Sequence, residues 1–338
     1  MGRPVLVTGA SGFVGRHLVR ALLDEEGASV RVLARSPDRL RAALGEDAAR
    51  VTQVYGGLDD SAALARACAG AVRVFHLAAL MPSNTGRATT TDQWRRVNVD
   101  ATLALARAAT DAGVCRFVFV SSTAAMGPPA AAVVDEDAPC RPGSPYEVAK
   151  RQAEEGLLAL HRDRHLPVVI LRPCLVAGAG QRGGSLLSLF KLCRLGLFPV
   201  FEGQLEVGKP LLSVHDLVQA LRLAATSGRD GGTYFLHSGQ RHTLREILEA
   251  AGRLVGRPKP WITVPMPLAR AGSALTTPLV RALGREPPLT PERLALFRAD
   301  RRILIDRARN ELGYAPRHTD VGGMLGETYE SFRATGQL

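Results

Sequence analysis

The sequence predicts an α/β fold, a doubly wound parallel sheet with a smaller C-terminal lobe. An apolar, β-branched run from Val5 ends in a glycine-rich turn, and an amphipathic segment starts almost at once. Short apolar runs then alternate with Ala/Leu-rich segments up to Arg172-Pro173. That alternation is the signature of parallel strands joined by crossover helices. Beyond Pro173 it weakens, and glycines accumulate at Gly178, Gly180, Gly183 and Gly184.

Composition bounds the reading. With 338 residues, 46% of them hydrophobic and 22% charged, the chain can bury a sizeable core. No apolar run reaches the ~20 residues that span a bilayer, so no stable membrane insertion is expected. The N-terminus reads as a strand, without the basic start and apolar middle of a leader, so the protein is expected to be cytoplasmic. Five cysteines (Cys68, Cys115, Cys140, Cys174, Cys193) are dispersed, implying reduced thiols and no metal site. The formal charge of +11 admits nucleic acid or an anionic ligand. However, the arginines are scattered and aromatics make up 5% of residues, which argues against nucleic acid. Only Lys150, Lys191, Lys209 and Lys259 are lysines among the 43 basic residues, so the excess reflects an Arg-rich composition.

In order, Arg16–Leu23 reads as the first helix, with Leu18, Val19, Leu22 and Leu23 on its apolar side and Gly27 closing it. Val30–Ala34, Val51–Tyr55 and Val72–Leu77 read as the next strands, with a helix over Ala62–Cys68. A long polar stretch, Met81–Arg95, follows the fourth strand, and loops of that length are usually functional. A helix over Asp100–Ala112 leads to the strand Arg116–Val120, which ends in Ser121-Ser122-Thr123. A Pro/Ala/Gly-rich loop precedes the helix Tyr146–His161 and the strand Val168–Leu171. The glycines after Pro173 mark a flexible crossing into the second lobe, and Tyr234–His237 reads as a strand returning to the sheet. Thr243-Leu-Arg-Glu246 forms a capping box before the helix Leu244–Leu254. Thr290-Pro291 opens a further helix. The Pro-rich, apolar region Pro258–Pro288 is expected to wall a substrate pocket or a partner surface. The organisation is then a Rossmann-type dinucleotide-binding domain over 1–175, with about 207–237 returning to it. Residues 176–206 and 238–338 form the substrate-binding lobe.

Gly9, Gly12 and Gly15 suit three jobs in a nucleotide site: a tight turn, close approach to a diphosphate, and close packing of the helix on the strand. The free N–H groups at the helix start favour the phosphates. Without other support, the turn is merely a glycine-rich strand-to-helix connection. Tyr146-Glu-Val-Ala-Lys150 places a phenol and an ammonium four apart on one helix face. A nearby cation is expected to bring the phenol's pKa down toward the working range. The competing reading is a solvated surface pair. Ser122 ends the fifth strand, where ligands bind in open α/β sheets, although a serine in a polar turn is common there. Asn98 is either the anchor of a water relay or simply an N-terminal helix residue. Arg35 follows the second strand, where an acid would accept from the 2′-hydroxyl of NAD and an arginine suits a 2′-phosphate. Ala34 stands in the acid's place, which favours NADP(H) and leaves NAD(H) as the second choice.

These residues resemble the extended short-chain dehydrogenase/reductases, the NAD-dependent epimerase/dehydratase family. The resemblance covers Thr8-Gly9-Ala-Ser11-Gly12-Phe13-Val14-Gly15, His76-Leu77-Ala78-Ala79, Val97-Asn98-Val99, Phe119-Val-Ser121-Ser122, Tyr146 with Lys150, and Leu171-Arg172-Pro173. It extends to Val214-His-Asp216 and Leu312-Gly-Tyr-x-Pro316. It implies a catalytic Ser122, Tyr146 and Lys150 supported by Asn98, a cofactor also touched by Leu58, Leu77, Ala78, Ala79 and Pro173, and a homodimer through the helices Asp100–Ala112 and Tyr146–His161. Departures bear on the substrate. Leu175 stands where sugar-nucleotide epimerases carry Asn, and Lys209-Pro210-Leu211 where they carry Arg-Asp-Phe. Thr123-Ala124 stands where 4,6-dehydratases carry Asp-Glu, and Gly57 replaces an Asp near the adenine. What remains resembles the 3β-hydroxysteroid-dehydrogenase-like and dihydroflavonol-reductase-like branches. The expectation is an NADP-preferring oxidoreductase that interconverts a secondary alcohol and a ketone on an apolar small molecule. The alternatives are a sugar-nucleotide epimerase with tightly bound NAD, and a non-catalytic NADP-binding sensor or scaffold.

Overall fold

The computed structural model describes residues 4–25, 28–82, 89–128, 131–269, 271–272, 274, 300 and 302–338. Its centre is a seven-stranded parallel sheet. The chain runs through β1 (Val5–Thr8), α1 (Phe13–Leu23), β2 (Val30–Ala34), α2 (Pro37–Leu44), β3 (Thr52–Tyr55), α3 (Ser61–Cys68) and β4 (Arg73–His76). It continues through α4 (Thr91–Arg95), α5 (Ala101–Asp111), β5 (Arg116–Val120), β6 (Val133–Val134), α6 (Pro145–Arg164) and β7 (Val168–Pro173). Later elements are β8 (Leu175–Ala177), α7 (Gly184–Leu195), β9 (Phe198–Phe201), β10 (Leu211–Ser213), α8 (Val214–Ala224), β11 (Gly232–Leu236), α9 (Leu244–Leu254), β12 (Trp261–Val264), β13 (Arg302–Ile303) and α10 (Val321–Ala334).

The strand order is β11-β7-β5-β4-β1-β2-β3, so the chain reverses direction between β1 and β4. Ligands bind outside the carboxyl ends of the strands at such a switch point. Alternation within each strand builds two cores. Val5, Val7, Val118, Val169 and Leu171 pack on one face. Leu6, Phe117, Phe119, Val168 and Ile170 pack on the other. Both faces are covered, as a parallel sheet requires. A third core joins α7, α9 and α10 through Phe190, Leu248 and Phe332.

Several outcomes differ from the sequence expectations. The glycine segment after β8 is pinned by α10. The amides of Gly178, Gly180 and Gly183 donate to Thr328 Oγ1, Ser331 Oγ and Gln337 Oε1 at 2.8, 2.7 and 2.9 Å. Positive φ angles of 148°, 86° and 66° orient those amides, so the glycines supply a fixed turn and not a flexible crossing. Within the Met81–Arg95 stretch, Thr90 forms a capping box with Gln93, and α4 buries Trp94. The Thr290-Pro291 helix, Gly27 and the 275–288 part of the Pro-rich region lie outside the described residues.

The Thr243 capping box is present: Thr243 Oγ1 accepts from Glu246 N at 3.2 Å, and Glu246 Oε2 accepts from Thr243 N at 2.7 Å. Thr243→Ala removes the hydroxyl and is expected to cost about 1 kcal/mol, read as a lower urea midpoint at an unchanged m-value.

Candidate active site

The glycine turn shows what each glycine does. Gly9 takes φ +75°, and a Cβ on it would lie 2.7 Å from Ala78 N. A Cβ on Gly15 would lie 2.1 Å from Gly9 O, so only a bare Cα lets α1 sit this close to the turn. At Gly12 the nearest atom is Gly9 O at 3.0 Å, and Ser11 and Gly12 are exposed. Gly12 caps α1 without a side-chain acceptor and the first turn holds no acidic residue. The first-turn N–H groups of α1 are therefore open to an anion, with the helix dipole in its favour. This cradle fits a dinucleotide diphosphate.

Behind the turn, a hydrogen-bond chain links β1, β4 and α5. Ala78 N donates to Thr8 Oγ1 at 3.4 Å, and Thr8 Oγ1 meets His76 Nδ1 at 2.7 Å. His76 Nε2 meets Thr102 Oγ1 at 2.9 Å, and Thr102 Oγ1 donates to Asn98 O at 2.9 Å. With that last donor assigned, His76 is the neutral Nε2–H tautomer. Burial, with the Lys150 charge adding to it, pulls its pKa down to about 3. Asn98 is buried in a π-helical turn ahead of α5. Its amide grips Leu80, accepting from Leu80 N at 2.8 Å and donating to Leu80 O at 3.0 Å. Asn98 therefore shapes the Leu77–Leu80 segment with its side chain, while its own carbonyl is engaged by Thr102.

Ser122 lies two residues past β5 and caps a short 3₁₀ turn, accepting from Ala124 N at 3.1 Å. Its hydroxyl neighbours the Tyr146 phenol and favours the phenolate. Tyr146 lies in the first turn of α6, started by Ser144 in a capping box with Glu147. The ring stands edge-on to Trp94 at 5.5 Å, and the hydroxyl donates to Met81 Sδ at 3.4 Å. Removal of the phenol from water pushes its pKa up to about 12, with the Ser122 bond working the other way. The expectation that Lys150 lowers this pKa is not met in this structure. Lys150 Nζ donates to Val120 O at 2.9 Å and lies 4.9 Å from the centre of the Phe119 ring. Burial pulls Lys150 itself down to about 8, opposed by Glu154.

Arg35 follows β2 and is exposed, next to Ser36, whose hydroxyl accepts from Arg39 N at 3.3 Å and starts α2. Phe13 and Val14 are half-buried at the start of α1, Leu58 is half-buried after β3, and Pro173 is buried at the end of β7. Sequence reasoning missed Trp94 and Met81, which wall the phenol, and Glu154, one turn beyond Lys150. Glu154 had a signal: an acid in line with Tyr146 and Lys150 at four-residue spacing on a face otherwise facing the core. A cavity of about 520 Å³ lies against Lys209, Pro210, His237, Arg241, Arg302 and Arg309. Asp300 and Asp306 also line it and pair with Arg241 and Arg309 at 2.5 and 3.8 Å, and among the described residues none of its lining comes from Pro258–Pro288. Among the described residues no group of His, Cys, Asp or Glu is arranged to hold a metal, and no helix is long and apolar enough to cross a membrane.

The parallel sheet, the glycine cradle at the switch point and the Ser122, Tyr146 and Lys150 side chains beyond its carboxyl edge define a dinucleotide-dependent enzyme. The NAD dependent epimerase/dehydratase family matches residues 5–236, and the chain belongs to it. It is an NAD(P)-dependent enzyme of the extended short-chain dehydrogenase/reductase type, with hydroxysteroid-dehydrogenase-like relatives. It is 34% identical over 327 residues to the 4-hydroxy-2-methyl-3-oxo-4-farnesyl-3,4-dihydroquinoline-1-oxide ketoreductase of Stigmatella aurantiaca, covering 94% of this chain and 93% of that one. It is 33% identical over 340 residues to a 3-beta-hydroxysteroid dehydrogenase of Mycolicibacterium neoaurum, covering 96% and 90%. The dTDP-glucose 4,6-dehydratase of Streptomyces venezuelae, solved with NAD bound, superposes with a TM-score of 0.76 at 25% identity, covering 98% and 97%.

Proposed function

We propose that this protein is an NADP-preferring oxidoreductase that interconverts a secondary alcohol and a ketone on a fairly apolar small molecule. The observation that carries this is the Tyr146 hydroxyl, which donates to Met81 Sδ at 3.4 Å with Ser122 as its neighbour. That bond leaves the phenol's proton on a thioether, a weak acceptor that a substrate carbonyl oxygen readily replaces. A carbonyl there receives the Tyr146 proton as charge develops on its oxygen, while Ser122 donates a second hydrogen bond to it. When bound, the nicotinamide supplies hydride to the carbonyl carbon. Lys150 contributes a positive charge at the floor of the site, and Asn98 keeps the Leu77–Leu80 segment in shape for the cofactor. Thr8, Gly9, Ser11, Gly12, Phe13, Val14 and Gly15 would hold the diphosphate, and Arg35 with Ser36 the 2′-phosphate. The names of the ketoreductase and hydroxysteroid dehydrogenase relatives support the reaction class. The homodimer through α5 and α6 is part of the proposal.

The test combines binding with turnover. NADPH is expected to bind more tightly than NADH, and a panel of apolar ketones and sterol-like alcohols is expected to include a substrate, followed by nicotinamide absorbance. Arg35→Glu is expected to weaken NADPH by about 10- to 100-fold, the worth of a charge-assisted contact, with NADH nearly unchanged. Tighter NADH binding by the parent overturns the NADP preference.

A second reading has one observation in its favour. The cavity around Lys209 carries four basic residues against two aspartates, a net positive lining that suits an anionic ligand, as a sugar-nucleotide epimerase would need. Leu175 and Pro210-Leu211 stand against it. Interconversion of a nucleotide sugar without net cofactor consumption would establish it.

A further inference from the structure

We propose that Glu154 is a positioning residue: its buried carboxylate ties the ends of β5 and β7 to α6 and sets a negative charge one helical turn from the Lys150 ammonium. This rests on the reading of Ser122, Tyr146 and Lys150 as the reacting site. Glu154 is fully buried, where an acid is found only when paired. Ser121 Oγ donates to its Oε1 at 2.5 Å. Arg172 grips it with two bonds, Nε to Oε1 at 2.9 Å and Nη2 to Oε2 at 2.6 Å. Arg151 Nη1 lies 3.6 Å from Oε2.

Each partner adjoins a site residue. Ser121 precedes Ser122, Arg172 precedes Pro173, and Lys150 lies one turn back on the same helix. One carboxylate therefore sets the spacing between the strand that carries the serine, the strand that carries the proline and the helix that carries the phenol and ammonium. Stability alone does not call for it, because a buried ion pair can often be replaced by apolar side chains without loss.

The groups facing Lys150 give its charge a source of support. From β4 comes His76, which is neutral; from β5 come the Phe119 ring and the Val120 carbonyl. From α6 come Tyr146, Arg151 and Glu154. Glu154 in turn faces Arg172 on β7, whose Nη2 also donates to Cys140 Sγ at 3.9 Å. Among these, Glu154 is the anion that acts on Lys150. Removing a negative charge disfavours the ammonium, so Lys150 would lose its proton at lower pH. Ketone reduction needs both the ammonium and the neutral phenol, so its alkaline limb would follow.

The experiment labels the four lysines at ¹³Cε, assigns Lys150 with Lys150→Arg, and titrates the parent, Glu154→Gln and Glu154→Asp by NMR beside kcat/KM pH profiles. In Glu154→Gln the Lys150 midpoint and the alkaline limb are expected to fall together by about one pH unit, the tenfold effect of one nearby charge. Glu154→Asp keeps the charge and is expected to retain both midpoints even where kcat drops. A Glu154→Gln protein that is slower or less stable with both midpoints unmoved overturns the proposal and leaves a structural role. Should Glu154→Gln not fold, the paired variant Glu154→Met/Arg172→Met removes both buried charges at similar volume. The Lys150 midpoint is expected to fall there by less, because the Arg172 cation leaves with the anion, and a midpoint at or above the parent's overturns the proposal. If the parent turns over no alcohol or ketone, the functional reading fails, and the NMR midpoints still decide the role of Glu154.

Discussion

Tyr146→Phe is expected to lower kcat by about 10²- to 10⁴-fold on any ketone the parent reduces, with NADPH affinity within about threefold of parent. The phenol is the donor that the site directs outward, with its proton toward Met81 Sδ. Phenylalanine keeps the edge contact with Trp94 and the packing of α6, so folding is expected to hold. The loss falls on the step in which the developing alkoxide takes a proton. With the phenol's pKa near 12, the parent's Tyr146 is protonated across the neutral range, as an acid in the reducing direction must be. Stopped-flow single turnover with NADPH, beside binding titrations, separates chemistry from cofactor affinity. Near-parental single-turnover rates would remove Tyr146 from the mechanism. A parent that binds NADPH tightly yet turns over nothing in a broad alcohol and ketone screen would revive the sensor reading.

Much of the sheet was legible because its strands are short β-branched runs bounded by polar residues. Val30–Ala34 and Arg116–Val120 have the same limits in sequence and structure. The helix α2 was not seen because Ser36-Pro37-Asp38 follows β2 directly and only Leu40 and Leu44 of that Arg-rich segment are buried. α7 was hidden by Gly183 and Gly184, which read as linker and in fact form its start. In the site, Tyr146 and Lys150 could be paired from helical spacing, and Ser122 from its place at a strand end. The partner of Lys150 could not: Val120 is 30 residues away and is brought beneath α6 by the packing of that helix on β5. The same packing gives the ammonium a carbonyl at the strand end, and burial keeps the phenol high. Local pattern locates side chains, and long-range packing assigns their protons.

Gly15→Ala is expected to be strongly damaging to both stability and cofactor binding. Gly15 has no positive φ to lose, so the cost is steric. The added Cβ would stand 2.1 Å from Gly9 O, 2.8 Å from Gly9 C and 2.9 Å from Ala10 Cα, all backbone atoms that cannot swing aside. Relief requires α1 to lift from the turn, and α1 is anchored in the core by Leu18, Val19 and Leu22. Overpacking of this kind typically costs 1–3 kcal/mol, and the backbone contact places Gly15→Ala at about 3 kcal/mol or above. The same displacement moves the first-turn amides, so cofactor affinity is expected to fall by about 100-fold or more as charge-assisted bonds are lost. Gly12→Ala separates the two effects. Its Cβ meets only Gly9 O, at 3.0 Å, and the residue is exposed, so thermal stability is expected to stay near that of the parent. That Cβ nevertheless stands at the cap of α1, where a diphosphate must approach the backbone, so NADPH binding is expected to be lost. Thermal melts of the two variants without and with NADPH check this division. If Gly15→Ala melts with the parent, or Gly12→Ala retains full stabilisation by NADPH, the close packing of helix on turn and the close approach of ligand to backbone have been assigned to the wrong glycines.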